Sequence, residues 1–414
     1  MTTFVQYTEP EPELDTADAD IIRATLPLIG THIDSITTAF YRRLFDNHPE
    51  LLRDLFNRGN QAAGSQPKAL AASIAVYATY LIDPELPHPA QMLSRIAHKH
   101  VSLGVTAAQY EVVHDNLFAA IVEVLGVDVV TAPVAQAWDR VFWMLAETLI
   151  AQEDRLYADA GVAPGDVFRD VMVVARQDDT FGVAVFAVES MDPAKPLPSF
   201  VPGQYVSVGV QLDDGARQLR QYSLVGAPAE GRLAFAVKRV DAANGCPAGE
   251  VSGYLHEYFD VGDQLQITVP FGDLTVEPSA TTPLILISAG IGTTPMIGVL
   301  EHLVARNPNR PVQVLHADRT PESHPLRDRQ RVLVSRLSAG TSTLWYTGGG
   351  AGARTGRMDL SDVKLLPDAD VYVCGAPDFL ESVRAQLAAA GVRRERVHLE
   401  EFTPTDWRLP GCPA

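Results

Sequence analysis

The chain has 414 residues, 46% hydrophobic and 20% charged, with a formal net charge of −18, enough for two or three domains with their own cores. The acidic balance argues against nucleic acid or an anionic membrane surface as partner. No apolar run reaches the roughly 18 residues that span a bilayer, so no integral membrane association is expected. MTTFVQYTEPEPELD lacks a basic, apolar secretion signal, and Cys246, Cys374 and Cys412 are too scattered for a disulfide framework or a zinc site. A cytoplasmic monomer is expected.

From residue 14 to 157 the apolar residues recur at helical spacing, and six to eight helices fit. Trp138, Val141, Phe142, Leu145 and Leu149 lie on one helical face; Phe40, Leu44, Leu51, Leu55 and Phe56 form a second pattern, broken at Asn47-His48-Pro49. ADAGVAPGD (158–166) reads as a linker. DVMVVARQ, FGVAVFAVES, GQYVSVGVQL, RQYSLVG and LAFAVKRV then predict an antiparallel barrel or sandwich. From about residue 281, the apolar strands LILISAG, VQVLHAD and DVYVCGA alternate with helical runs such as MIGVLEHLVAR and DFLESVRAQLAAAG, which means a parallel sheet. The order is all-α over 1–160, all-β over 161–278 and α/β over 279–414.

RQYS (220–223) opens a strand run. Strand alternation puts Arg220 and Tyr222 on one face, and an arginine fork suits a diphosphate. The segment resembles the flavin-binding motif of the ferredoxin–NADP reductase superfamily. That resemblance implies a tyrosine packed on the isoalloxazine and a serine hydroxyl, Ser223, at the flavin N5, with Gln221 alongside. PGQY (202–205), with Gln204 and Tyr205, and EVSGYLH (250–256), with Val251 and Ser252 in a first helical turn, follow the same pattern. The second offers a helix N-terminus to the diphosphate.

SAGIGTTPM (288–296) follows the buried strand LILI. Gly290 and Gly292 would let a pyrophosphate approach backbone amides at a helix start, with Thr293, Thr294 and Pro295 in the first turn. It is not the GxGxxG fingerprint; its form is similar to the nicotinamide segment of the same superfamily. CGAPDF (374–379), with Cys374 and Gly375, resembles the second nicotinamide segment. HLEEF (398–402) resembles the segment whose aromatic, here Phe402, covers the flavin until the nicotinamide displaces it; Glu400 sits close by.

A flavin module must pass its electrons on, and no cysteine cluster suits an iron–sulfur centre. RIAHKHVSLG (95–104) holds two histidines. His100 shares a face with Met92 and Ile96, four residues apart, whereas His98 is roughly 200° from Ile96 and is expected to face solvent or a neighbouring helix edge. A helical domain of this kind followed by a reductase module resembles the flavohaemoglobins: an all-α globin, an antiparallel β-barrel FAD domain and an α/β nicotinamide domain. The likeness runs from about residue 24 to 402, and FYRRLFDNHPELLRDLFN (40–57) is similar to the family's distal segment.

The resemblance implies haem b, FAD and NAD(P)H as cofactors and His100 as the proximal iron ligand. It also implies Tyr41 as the distal tyrosine, Phe56 packed on the haem, Gln66 and Leu70 completing the distal pocket, and Tyr110 and Glu153 as partners of the proximal histidine. Pro67 departs from easy helical geometry for Gln66, although proline is tolerated in a first helical turn, which allows the distal helix to begin here. The activity implied is that of a nitric oxide dioxygenase, converting NO and O2 to nitrate. A reductase serving another acceptor and a globin oxygen carrier or sensor are the rival readings.

Overall fold

The computed structural model describes residues 14–402 apart from 57, 59–64, 84, 87, 180, 181, 228, 230 and 243–246, and without the side chains of 65–69, 71 and 72. Cys246 and Cys412 lie outside the described residues.

The N-terminal layer holds six helices among the described residues: α1 (Thr16–Asn47), α2 (Pro49–Asp54), α3 (Ser65–Ile82), α4 (Ala90–Val101), α5 (Ala107–Leu125) and α6 (Ala132–Asp159). Asp15 starts α1 by accepting the Asp18 N–H at 2.8 Å. The break expected at Asn47-His48-Pro49 is where α1 stops and Pro49 takes the first position of α2. The Thr106–Gln109 capping box opens α5. Helix α3 begins at Ser65, which leaves Pro67 in the first turn, where its missing N–H costs no helical bond. The expected stripe of Trp138, Val141, Phe142, Leu145 and Leu149 is buried along α6.

Six antiparallel strands follow: β1 (Phe168–Asp178), β2 (Val183–Ser190), β3 (Tyr205–Gln211), β4 (Arg217–Ser223), β5 (Arg232–Lys238) and β6 (Gln264–Thr268), ordered β4-β3-β6-β1-β2-β5. An antiparallel bridge between Leu224 and Phe235 joins the two ends and closes the barrel. The sequence reading lacked β6, because five residues are too few to establish an alternation, yet it is the strand between β1 and β3. Helix α7 (Glu250–Tyr258) packs on this barrel through Val251 and Leu255.

The third layer is a six-stranded sheet of order β10-β9-β8-β7-β11-β12, parallel throughout. Its strands are β7 (Leu284–Ala289), β8 (Val312–Asp318), β9 (Gly340–Tyr346), β10 (Arg354–Thr355), β11 (Asp370–Gly375) and β12 (Val397–Glu401); its helices are α8 (Thr293–Arg306), α9 (Arg327–Ser335) and α10 (Pro377–Ala389). The apolar runs are the central strands β7, β8 and β11, buried on both faces as a parallel sheet requires. The more polar β9, β10 and β12 lie outside them and escaped the sequence reading for that reason.

Helix α8 packs so closely on the barrel that a Cβ on Gly298 would lie 2.4 Å from the Leu224 carbonyl oxygen. Gly298→Ala must therefore separate the two C-terminal domains, and about 1–3 kcal/mol of destabilisation is expected from such overpacking. Gly30 in α1 has nothing within 4 Å of its would-be Cβ, so Gly30→Ala should instead gain about 0.5–1 kcal/mol. Thermal unfolding of both variants checks the contrast.

Candidate functional site

Three helices each bring one residue to a closed triangle. His100 in the last turn of α4 places Nδ1 2.8 Å from Glu153 Oε1 on α6 and 3.0 Å from Tyr110 Oη on α5. Tyr110 donates to the same Glu153 oxygen at 2.6 Å. Glu153 is 3% exposed at its side chain and His100 32%, so the acceptor is sealed behind an imidazole whose other edge is open. Burial first, and then the Glu153 charge, push the Tyr110 phenol far above its ordinary range, which keeps it a protonated donor.

Tyr41 is buried in α1, with its ring centroid 4.7 Å from Phe40, 5.6 Å from Phe45 and 6.1 Å from Phe56. Phe56 and Leu70 are half-buried against the same core as Tyr41, Met92 and Ile96. The Gln66 backbone is in the first turn of α3, and its side chain lies outside the described residues.

Strand β4 runs antiparallel to β3 with Tyr222 opposite Val206 and Ser223 opposite Tyr205, so the RQYS and PGQY segments are neighbours. Arg220 is buried, with Nη1 donating to Gln218 Oε1 at 3.3 Å. Tyr222 stacks on Phe235 at 5.8 Å. Gln204 turns its side chain to the Val201 N–H at 2.8 Å. Val251 and Ser252 are buried in the first turn of α7, which no side chain caps.

In the third domain β7 lies between β8 and β11, and the chain order reverses there, which puts a crevice at the carboxyl ends of β7 and β11. Gly290 and Gly292 leave β7 at that point, and Cys374 and Gly375 end β11. A Cβ on Gly292 would sit 2.4 Å from the Cys374 carbonyl oxygen, so only glycine allows these two turns to touch. Thr293, Thr294 and Pro295 are buried in the first turn of α8, again without a side-chain cap. Phe402, just past β12, donates its N–H to the Gly375 carbonyl at 2.9 Å.

Comparison with known proteins bears directly on this arrangement. Residues 38–149 match the globin family, 173–276 the oxidoreductase FAD-binding domain and 286–385 the oxidoreductase NAD-binding domain. The flavohemoprotein of Bordetella parapertussis is 38% identical over 396 residues, covering 92% of this chain and 96% of that one. That of Chromobacterium violaceum is 40% identical over 395 residues, with 92% and 96% covered. A crystal structure of flavohemoglobin from Malassezia yamatoensis with bound FAD and heme superposes with a TM-score of 0.86 at 33% identity, covering 95% of this chain and 100% of that chain.

The chain belongs to the flavohaemoprotein family.

As a flavohaemoprotein it is an oxidoreductase with haem, FAD and a nicotinamide nucleotide as cofactors. The residues present fit all three groups. Haem needs an imidazole with a free second nitrogen and an open edge, and His100 has both once Nδ1 is committed to Glu153. FAD and the nicotinamide nucleotide each carry a diphosphate; the uncapped first turn of α7 presents amides to one anion, and the glycine turn Gly290–Gly292 leading into α8 leaves backbone open to the other. Around Gly290, nothing lies within 4 Å of where a Cβ would be, which leaves a cradle beside the α8 turn. No helix among the described residues is long and apolar enough to cross a membrane.

Helix α4 also carries contacts that the sequence reading missed. His98, expected at solvent or a helix edge, instead accepts the Gly272 N–H of the barrel domain at 3.0 Å, and burial pushes its imidazole below the ordinary range. Lys99 donates to Gln221, and Arg95 to the Leu399 carbonyl on β12. On the distal side Arg58 pairs with Asp214 at 2.6 Å and Glu250 at 2.9 Å. Gln218, buried at 1% exposure, donates to the Arg53 carbonyl at 3.0 Å. Helical periodicity within one domain carries no signal for any of these, because each partner belongs to another domain.

Glu400 lies opposite Cys374 in the β11–β12 register. Burial, and then the Asp273 carboxylate, push its carboxyl up to about 7, with Arg95 and Lys99 opposing. The folded value exceeds the ordinary 4.5, so the folded protein binds more protons than the unfolded chain between those limits. Stability contributed by this group is therefore present at low pH and lost as pH rises through about 7. Glu400→Gln should flatten that part of the stability–pH curve, measured by denaturant titration at about pH 5 and pH 8.

Proposed function

We propose that this flavohaemoprotein is a nitric oxide dioxygenase, with NO and O2 as substrates and nitrate as product. The observation that carries the reading is the sealed triangle of His100, Tyr110 and Glu153, with Nδ1 to Oε1 at 2.8 Å and Oη to Oε1 at 2.6 Å. A structure of the flavohem-like FAD/NAD-binding domain of a nitric oxide dioxygenase from Vibrio cholerae supports it, at 31% identity and a TM-score of 0.53, covering 57% of this chain and 99% of that chain.

When bound, the nicotinamide nucleotide supplies a hydride, FAD parts it into single electrons, and haem iron provides the place where O2 and NO combine. Two NO and two O2 are consumed per NAD(P)H, giving two nitrate ions, one NAD(P)+ and one proton.

The chain's own groups have distinct tasks in this reading. Glu153 takes the Nδ1–H of His100, fixes the tautomer that presents Nε2 to a metal and makes the imidazole more basic. Tyr110, held protonated, donates to Glu153 and keeps that carboxylate aligned with the ring. The Tyr41 hydroxyl supplies a hydrogen bond on the distal side, where Phe56 and Leu70 shape the pocket. Gln204, Tyr205, Arg220, Gln221, Tyr222, Ser223, Val251, Ser252 and Phe402 hold the flavin. Gly290, Gly292, Thr293, Thr294, Pro295, Cys374 and Gly375 hold the nicotinamide nucleotide. An oxygen carrier needs no charge behind the histidine; an enzyme that must re-reduce its iron at every turnover does.

Glu153→Gln is the decisive test. It should retain haem, FAD and fast flavin reduction by NADH, yet slow NO consumption by about tenfold or more, as measured with an NO electrode. Parent-like NO consumption in that variant would falsify the role of Glu153, and a parent that consumes no NO removes the reading altogether. Tyr41→Phe should raise the O2 dissociation rate roughly 5- to 150-fold, the loss of a hydrogen bond of about 1–3 kcal/mol; flash photolysis measures it.

A further inference from the structure

We propose that His98 is a positioning residue for electron delivery: its Nδ1 fixes the barrel-domain backbone at Gly272 against the helix that bears His100. The inference rests on the electron route proposed above and not on the final acceptor. The contact is a direct hydrogen bond of 3.0 Å between domains. Gly272 is buried, so without the ring its N–H would be desolvated and unmatched.

What the bond holds in place is the flavin side of the barrel. Phe271, the residue before Gly272, exchanges two backbone hydrogen bonds with Tyr205, at 2.8 and 2.9 Å. Phe271 also packs in one buried cluster with Val101 at the end of α4, and with Tyr157 of α6. Gly272 is thus the point at which the iron-ligand helix meets the backbone that carries a flavin residue.

His98 differs in kind from the other tethers on α4. Arg95 and Lys99 reach Leu399 and Gln221 through long, flexible stems, which tolerate a range of domain separations. An imidazole has two side-chain torsions and a fixed ring. It also accepts, where arginine and lysine can only donate. His98 therefore sets a spacing that the two cations follow.

The test uses the full-length protein loaded with haem and FAD. In the parent, the Gly272 amide should exchange with solvent as slowly as the strand amides beside it; exchange at the rate of an open loop would show that the contact is absent. His98→Leu should speed Gly272 exchange roughly 2- to 10-fold, the effect of one hydrogen bond. The same variant should slow the flavin-to-haem step by about tenfold or more through misplacement. That step is followed anaerobically after NADH, with carbon monoxide trapping reduced haem. Flavin reduction and the haem absorption band should not change. His98→Asn, whose Oδ1 can accept in place of Nδ1, should restore both quantities.

An unchanged His98→Leu variant, or a His98→Asn variant as impaired as the leucine one, overturns the proposal. So does a proportionate loss of flavin reduction by NADH, which would place the damage in the flavin site itself. A parent whose flavin is reduced but whose haem is not overturns the electron route and this inference together; failure of the inference alone leaves transfer in the parent intact.

Discussion

The last two turns of one helix must satisfy three domains at once. Between Arg95 and His100, α4 supplies a donor to β12, an acceptor for the Gly272 N–H, a donor to Gln221 and the candidate iron ligand. Successive residues on a helix point about 100° apart, so neighbouring positions can address different partners without competing. The arrangement fixes the candidate ligand relative to the candidate flavin residues through a single rigid element. A shift of α4 against its own helical domain would break contacts in both of the others.

Behind His100, the helical domain buries a carboxylate, which is costly unless every lone pair is matched. Glu153 is matched by two donors from two other helices, an N–H and an O–H. Neither could be replaced by packing alone, since an apolar neighbour would leave the charge unanswered. The same low-dielectric surroundings that make the site expensive also strengthen its hydrogen bonds. This is how a small network comes to define the ring orientation and the tautomer.

The two C-terminal domains meet under a different constraint, which is close approach of backbones. At Gly298 against Leu224 a single methyl group would overlap the opposite domain's backbone, and inside the third domain Gly292 is held as tightly against the Cys374 carbonyl. Arg329 adds a polar clasp, donating to the Val225 carbonyl of the barrel at 2.8 Å and to Glu301 at 2.7 Å. Glycine contacts of this sort set distance with little tolerance, whereas the arginine adapts around them. Together they hold the crevice at β7 and β11 beside the RQYS strand.

Much was legible in the sequence because it is written in local periodicity and turn chemistry. The change from period 3.6 to alternation to apolar runs gave the three-layer order, Asn47-His48-Pro49 gave a helix break, and the Met92–Ile96–His100 spacing singled out one histidine of two. The motif segments around Arg220, Gly290 and Cys374 are short and contiguous, so their grouping survived without coordinates. What the sequence could not carry were relations between elements distant along the chain. Strands β6, β9, β10 and β12 are too short or too polar to announce themselves, and only pairing in the sheets makes them strands. His98 shows the limit most plainly. Its helical face identified it as turned away from the core of its own domain, and only the docking of a second domain, some 170 residues onward, decided that this face was not solvent but the Gly272 backbone.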